Sequence, residues 1–192
     1  HFVSTELSKK RIIQMGENKK NVYNVGCPYT DILENIKKNK KKSKEFLKIT
    51  NKKDKYIIFI MHSVTTNISE IKTNLKNIIN VINKLSEEYY IFSFLPNTDP
   101  GCNFINNNLK KNKKIKIINN LNSNLFLELM KYSDFMIGNS SSGIREAPTF
   151  KVPYICIGSR QNGRERSINV IDVNYDYDEI MSKVNFIKNN KK

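Results

Sequence analysis

From Lys55 onward, two kinds of apolar block alternate along the chain. Continuous apolar runs come at Tyr56-Ile57-Ile58-Phe59-Ile60, Phe135-Met136-Ile137 and Tyr154-Ile155-Cys156-Ile157, and further strand-like segments at Tyr90 to Leu95, Lys113 to Ile118 and Asn169 to Val173. Runs without polar alternation read as strands buried on both faces. Between them the apolar period lengthens. Ile71, Leu75, Ile78, Ile82 and Leu85 predict an amphipathic helix over 69–87. Leu125, Leu129 and Tyr132, with Phe126 and Met130, mark another, and Ile180, Val184 and Ile187 a C-terminal one. Strand and helix in alternation predict an α/β fold, a doubly wound parallel sheet of Rossmann-like kind. No internal repeat and no GxGxxG is present.

The first part of the chain reads differently. Thr5 can cap a helix through Leu7, Arg11, Ile12 and Met15, ended by Gly16, and Val22-Tyr23-Asn24-Val25 reads as a strand closed by Gly26-Cys27-Pro28. One helix and one strand cannot build a core. Residues 35–55 are lysine-rich, with a helix around Phe46-Leu47 and a solvated linker. The expected division is 1–50, the tail of a preceding domain plus a hinge, and 51–192, a nucleotide-binding domain.

The most informative stretch is Asp134 to Arg166. A strand ends at Gly138, a hydroxyl-rich turn follows at Asn139-Ser140-Ser141-Ser142-Gly143, and a helix-capable segment runs to Pro148. Small side chains at a helix start leave unpaired N–H groups pointing outward, a ready anion site. Glu146 lies about one helical turn further on, placed to accept hydrogen bonds from a diol. Arg160, Arg164 and Arg166 follow the next strand and offer forked cations for phosphate oxygens. Each piece alone has a plain reading as an N-cap or a solvated loop. Their order places all of them at the carboxyl edge of an open sheet, where ligands bind, and suggests a nucleotide-diphosphate site.

Four further residues stand at predicted loop positions. His62 follows a buried strand and is suited to proton transfer near neutrality, or is an ordinary loop histidine. Thr65-Thr66 reads as part of that loop or as a helix cap. Asp99, in Pro96-Asn97-Thr98-Asp99-Pro100-Gly101, is a catalytic candidate or, as the Pro-Gly context favours, turn chemistry.

Composition narrows the field. The chain is 39% hydrophobic, enough for a core, and no apolar run approaches the roughly 20 residues of a membrane span. The net charge of +15 invites nucleic acid as a partner. The excess is lysine mixed with asparagine, as in Lys37-Lys38-Asn39-Lys40-Lys41-Lys42, without aromatic interleaving, so neither nucleic acid nor membrane is expected. Cys27, Cys102 and Cys156 lack metal spacing and read as reduced, structural and cytoplasmic. With two histidines in the chain, no metal site is expected.

Several segments together resemble one family. They are Val25-Gly26-Cys27-Pro28, His62-Ser63-Val64-Thr65-Thr66, Leu95-Pro96-Asn97-Thr98-Asp99, Gly138-Asn139-Ser140-Ser141-Ser142-Gly143-Ile144-Arg145-Glu146 and Gly158-Ser159-Arg160-Gln161-Asn162-Gly163-Arg164-Glu165. In this order, along nearly the whole chain, they are similar to the hydrolysing UDP-N-acetylglucosamine 2-epimerases of sialic-acid synthesis. Ser63 departs from the proline usual after the histidine. The resemblance implies the second domain of a GT-B-type two-domain fold. It implies Ser140 and Ser141 on the diphosphate, Glu146 on the ribose, Arg160 on the phosphates, Leu121 by the uracil and His62 as a catalytic residue. The implied reaction takes UDP-N-acetylglucosamine to N-acetylmannosamine and UDP by anti elimination and hydration, with no metal or redox cofactor. The first-domain residues are absent, so this chain alone is expected to be inactive, and the full-length parent to be a homo-oligomer. Alternatives are a hydrolysing epimerase of another UDP-sugar, such as UDP-diacetylbacillosamine, or a GT-B glycosyltransferase.

Overall fold

The computed structural model describes residues 1–39, 41–51, 55–65, 67–119 and 121–190. The chain divides into two compact units, His1–Lys40 and Lys41–Lys192.

In the first unit β1 (Phe2–Val3) and β2 (Tyr23–Asn24) pair in parallel around α1 (Glu6–Gln14). Thr5 caps α1, its side chain accepting from the Ser8 N–H, and Gly16 turns the chain out at φ +104. The strand β1 was not foreseen, nor was α2 (Tyr29–Lys38), which occupies ground expected to be tail and linker. Its signals are short but sound: Asp31 in the first turn and Lys37 and Lys38 in the last suit the helix dipole, and Leu33 is buried.

The second unit opens with α3 (Lys44–Thr50), so the division falls after residue 40 and not after residue 50. The reason is packing. Phe46 is buried in the same core as Tyr56, with ring centroids 6.4 Å apart, and meets Tyr132 at 5.3 Å. Ser43 caps α3 and binds the Glu128 carboxylate through its own N–H and hydroxyl, both at 2.7 Å. The helix therefore belongs to the second unit.

The strands then follow as β3 (Tyr56–Ile60), β4 (Tyr90–Phe94), β5 (Ile115–Ile118), β6 (Met136–Gly138), β7 (Tyr154–Ile157) and β8 (Val170–Val173). Between them run α4 (Ile68–Leu85), α5 (Cys102–Lys111), α6 (Ser123–Lys131) and the single turn α7 (Ser142–Arg145), and α8 (Tyr177–Asn189) closes the chain. All six strands are parallel, in the order β5-β4-β3-β6-β7-β8. That is the doubly wound order expected, with its topological switch between β3 and β6. Alternate residues of β3 feed the two faces. Ile57 and Phe59 pack with α4, α5 and α8, whereas Tyr56, Ile58 and Ile60 pack with α3 and α6. The fully buried stretch begins at Tyr56 for this reason: every residue of β3 is covered.

Three local expectations change. The cap of α4 is Asn67, whose side chain accepts from the Glu70 N–H, and not the Thr65-Thr66 pair; Thr66 lies outside the described residues. The helix α5 went unforeseen because its asparagine-rich sequence leaves Ile105 and Leu109 as its buried residues. The segment after the serines is one α turn followed by a 3-10 turn, Ala147–Phe150, so it carries little macrodipole. Among the described residues no helix is long and apolar enough to cross a membrane.

Candidate functional site

The switch point is where β3 and β6 lead out at the carboxyl edge of the sheet, into His62 and Asn139. Getting there requires a close approach. Gly138 pairs with Ile60 at φ +134, and a Cβ at this position would overlap the Ile60 carbonyl. Glycine is required on both counts.

Beyond the last strand pair, the Asn139 N–H donates to the Ile60 carbonyl at 3.0 Å. Its side chain then takes over from the backbone. Oδ1 accepts from the His62 N–H at 2.7 Å and Nδ2 donates to the His62 carbonyl at 2.8 Å. Asn139 is fully buried. Its own carbonyl accepts from Gln161 Nε2 at 2.8 Å and from Arg160 Nη1 at 3.4 Å. Thus His62 and Arg160, distant in sequence, are tied to one residue.

His62 itself is buried, with 8% of its surface exposed. Burial pushes its pKa down to about 4; the Arg160 guanidinium lowers it further and Asp99 opposes. The ring is neutral at pH 7. The backbone N–H of Asn97 donates to Nδ1 at 3.2 Å, so the ring proton resides on Nε2. His62 is therefore a neutral hydrogen-bond donor through Nε2. This departs from the sequence expectation of proton transfer near neutrality, because burial disfavours the charged ring. Asp99 stands 3.9 Å from Arg160 Nη2, a loop carboxylate holding the arginine.

The serine turn is ordered by its own hydroxyls. Ser140 Oγ and Ser142 Oγ lie 2.8 Å apart, and the Ser142 N–H donates to Ser140 Oγ at 3.3 Å. Tyr154, on β7, braces the turn from below, its hydroxyl directed to the carbonyls of Gly138 at 2.9 Å and Ser140 at 3.0 Å. Because α7 is a single turn, a helix dipole contributes little here, and the groups that could meet an anion are the local N–H and hydroxyl groups and Arg160. Ser141 precedes α7 with helical φ and ψ and makes no side-chain cap.

Glu146 follows α7, its N–H bonded to the Ser142 carbonyl at 3.0 Å. Its Oε2 is buried without a hydrogen-bond partner among the described residues. Burial raises its pKa, against the pull of Arg145 and Arg164. An unsatisfied carboxylate oxygen is costly, and one at a ligand edge is what a hydroxyl-bearing ligand would satisfy. Leu121 is partly buried on the core face beyond β5; β4 and β3 separate it from the serine turn. Arg166 is not available as proposed. It forks onto Asp172 of β8 at 3.0 to 3.2 Å and onto the Arg164 carbonyl at 2.8 Å. Arg164 is exposed. Cys156 is core, its thiol pushed up to about 11 by burial.

Sequence reasoning missed Asn139 and Gln161. Both lie inside the motifs quoted above, but their amides are buried and read as ordinary loop polarity until the strand ends are placed.

The whole chain, residues 1–192, matches the model of the UDP-N-acetylglucosamine 2-epimerase family. The chain belongs to this family. Relatives in the epimerase family include a GDP/UDP-N,N'-diacetylbacillosamine 2-epimerase (hydrolyzing) of Campylobacter jejuni, 39% identical over 191 residues, covering 96% of this chain and 49% of that protein. A UDP-N,N'-diacetylbacillosamine 2-epimerase (hydrolyzing) of Legionella pneumophila is 35% identical over 185 residues, covering 95% and 48%. Among solved structures, the UDP-GlcNAc 2-epimerase of Methanocaldococcus jannaschii, in complex with UDP-GlcNAc and UDP, superposes with a TM-score of 0.75 at 25% identity, covering 100% of this chain and 54% of that one. This epimerase-family chain thus spans about half the length of the relatives it matches.

Proposed function

We propose that this chain is the nucleotide-binding half of a hydrolysing UDP-sugar 2-epimerase, the second domain of a GT-B-type pair. The observation that carries the reading is the grouping at the switch point: a hydroxyl turn, an arginine, a neutral histidine and a carboxylate with an unpartnered oxygen. In this reading Ser140, Ser141 and Arg160 hold the diphosphate, Glu146 accepts from the ribose hydroxyls and Leu121 lies against the uracil. His62 donates through Nε2 towards the phosphate oxygen that leaves with UDP.

The reaction needs a base for the sugar C2 proton, stabilisation of departing UDP, and an acid for hydration. The C2 proton is lost as the C1–O bond to UDP breaks on the opposite face, giving a glycal. Water then adds across the double bond, with the hydroxyl at C1 and the proton on the other face of C2, to release the 2-epimeric sugar. UDP departure is the step this chain serves. The base belongs to the rest of the full-length protein.

The identities to the two hydrolysing bacillosamine epimerases favour UDP-N,N'-diacetylbacillosamine as the substrate. UDP-N-acetylglucosamine is the second reading, supported by the family match. Product analysis of the full-length protein with each nucleotide sugar tests both. Equal amounts of UDP and free 2-epimeric sugar are expected, faster from the bacillosamine substrate. Retention of the sugar on UDP, or its transfer to an acceptor, would overturn the hydrolytic assignment. Turnover by the isolated chain would overturn its assignment as a half.

A further inference from the structure

We infer that Asn139 is a positioning residue that fixes the ring tautomer of His62. The inference rests on the reading of His62 as catalytic, although its test reads the imidazole without any ligand.

His62 lies past the end of β3 and has no backbone ladder of its own. Asn139 replaces that ladder with one side chain. Its amide offers an acceptor to the His62 N–H and a donor to the His62 carbonyl, at 2.7 and 2.8 Å, so both backbone groups are held by one planar unit. Of the twenty side chains, only asparagine combines this donor–acceptor pair with so short a reach. Aspartate would face the His62 carbonyl with a second acceptor, and glutamine is one methylene too long. With the His62 backbone fixed, its ring meets the Asn97 N–H at 3.2 Å. That contact makes Nδ1 the acceptor and leaves the proton on Nε2.

A second brace reaches the same residue. Gln161, 1% exposed, donates to the Asn139 carbonyl at 2.8 Å, beside Arg160 at 3.4 Å. The charged groups acting on His62 are Arg160 and Asp99. Asn139 is neutral, so replacing it alters His62 through position and solvation, without a change of charge.

The test is ¹⁵N NMR of the imidazole nitrogens across pH. It is practical because the chain holds two histidines, and His1→Gln assigns the signals. The parent chain should show His62 as the Nε2–H tautomer, neutral down to about pH 4. Asn139→Ala should give averaged tautomer shifts and move the titration upward towards the ordinary value of about 6.5. Gln161→Met, which keeps the volume and removes the donor, should move both in the same direction by less. An Nδ1–H tautomer in the parent chain would overturn the inference, and so would a folded Asn139→Ala with an unchanged imidazole spectrum. If Asn139→Ala fails to fold, Gln161→Met decides, and an unchanged spectrum there counts against the inference. Loss of UDP binding in the parent chain would instead strike at the proposed function and leave these signals as they are.

Discussion

The ring of Tyr154 occupies the space that a side chain at Gly143 would need. A Cβ on Gly143 would collide with Tyr154 Cδ1, Cγ and Cε1, while the Tyr154 hydroxyl reaches the Gly138 and Ser140 carbonyls. The serine turn is thus pressed onto a buried tyrosine of the neighbouring strand. Gly143→Ala should cost at least about 2 kcal/mol through overpacking and distort the turn. Tyr154→Phe, which removes a buried hydroxyl and keeps the ring, should cost about 1–3 kcal/mol. Denaturant unfolding measures both. Equal stability of Gly143→Ala and the parent would refute the packing argument.

His62 makes stability depend on pH. Its folded pKa, about 4, lies below the ordinary histidine value of about 6.5. The contribution is therefore fully present above pH 6.5 and is lost as pH falls through 4, because the unfolded chain takes up the proton first. The span corresponds to about 3 kcal/mol. The parent should lose roughly that much more stability than His62→Gln between pH 7 and pH 4, and parallel curves for the two proteins would refute it.

Glu146 separates binding from stability. Its ionised form is disfavoured by burial, so Glu146→Gln should hold or raise the melting temperature at pH 7. UDP affinity should nonetheless fall, by roughly ten-fold or more for a lost charged hydrogen bond of about 1.5–3 kcal/mol. In the parent chain dUDP should bind more weakly than UDP, and in the variant the two should converge. A variant that discriminates them as the parent does would remove Glu146 from the ribose.

The arginines divide into two roles. Arg166 is engaged by Asp172, a partly exposed pair worth about 1 kcal/mol, so Arg166→Ala should lower stability slightly and alter UDP affinity by less than about two-fold. Arg160→Ala should reduce affinity by about ten-fold or more, as expected for a lost charge-assisted contact. Parallel titrations compare them, and the reverse ranking would overturn the assignment.

The sequence made the sheet legible because β3, β6 and β7 are uninterrupted apolar runs, the pattern of parallel strands covered on both faces, and β4, β5 and β8 keep most of that character around Ser93, Lys116 and Asp172. Helices with a full apolar stripe, such as α4, were equally plain. The helices α2 and α5 were not, since Leu33 in one and Ile105 and Leu109 in the other are too few to stand out among lysines and asparagines. At the site, the residues proposed to meet a ligand were visible in their order: Ser140, Glu146, Arg160. Those whose work is internal were not. Asn139 and Gln161 act through contacts across the switch point, and Arg166 is withdrawn by an aspartate on another strand. Such pairings appear only once the strands are laid side by side.

Calorimetric titration of this chain with UDP, beside Ser140→Ala/Glu146→Ala, tests the central claim most directly. The account predicts weak saturable binding at one site, reduced at least about ten-fold in the double variant by loss of two hydrogen-bonding groups. Equal affinity in the two proteins, or no binding by the parent chain at millimolar UDP, would contradict it.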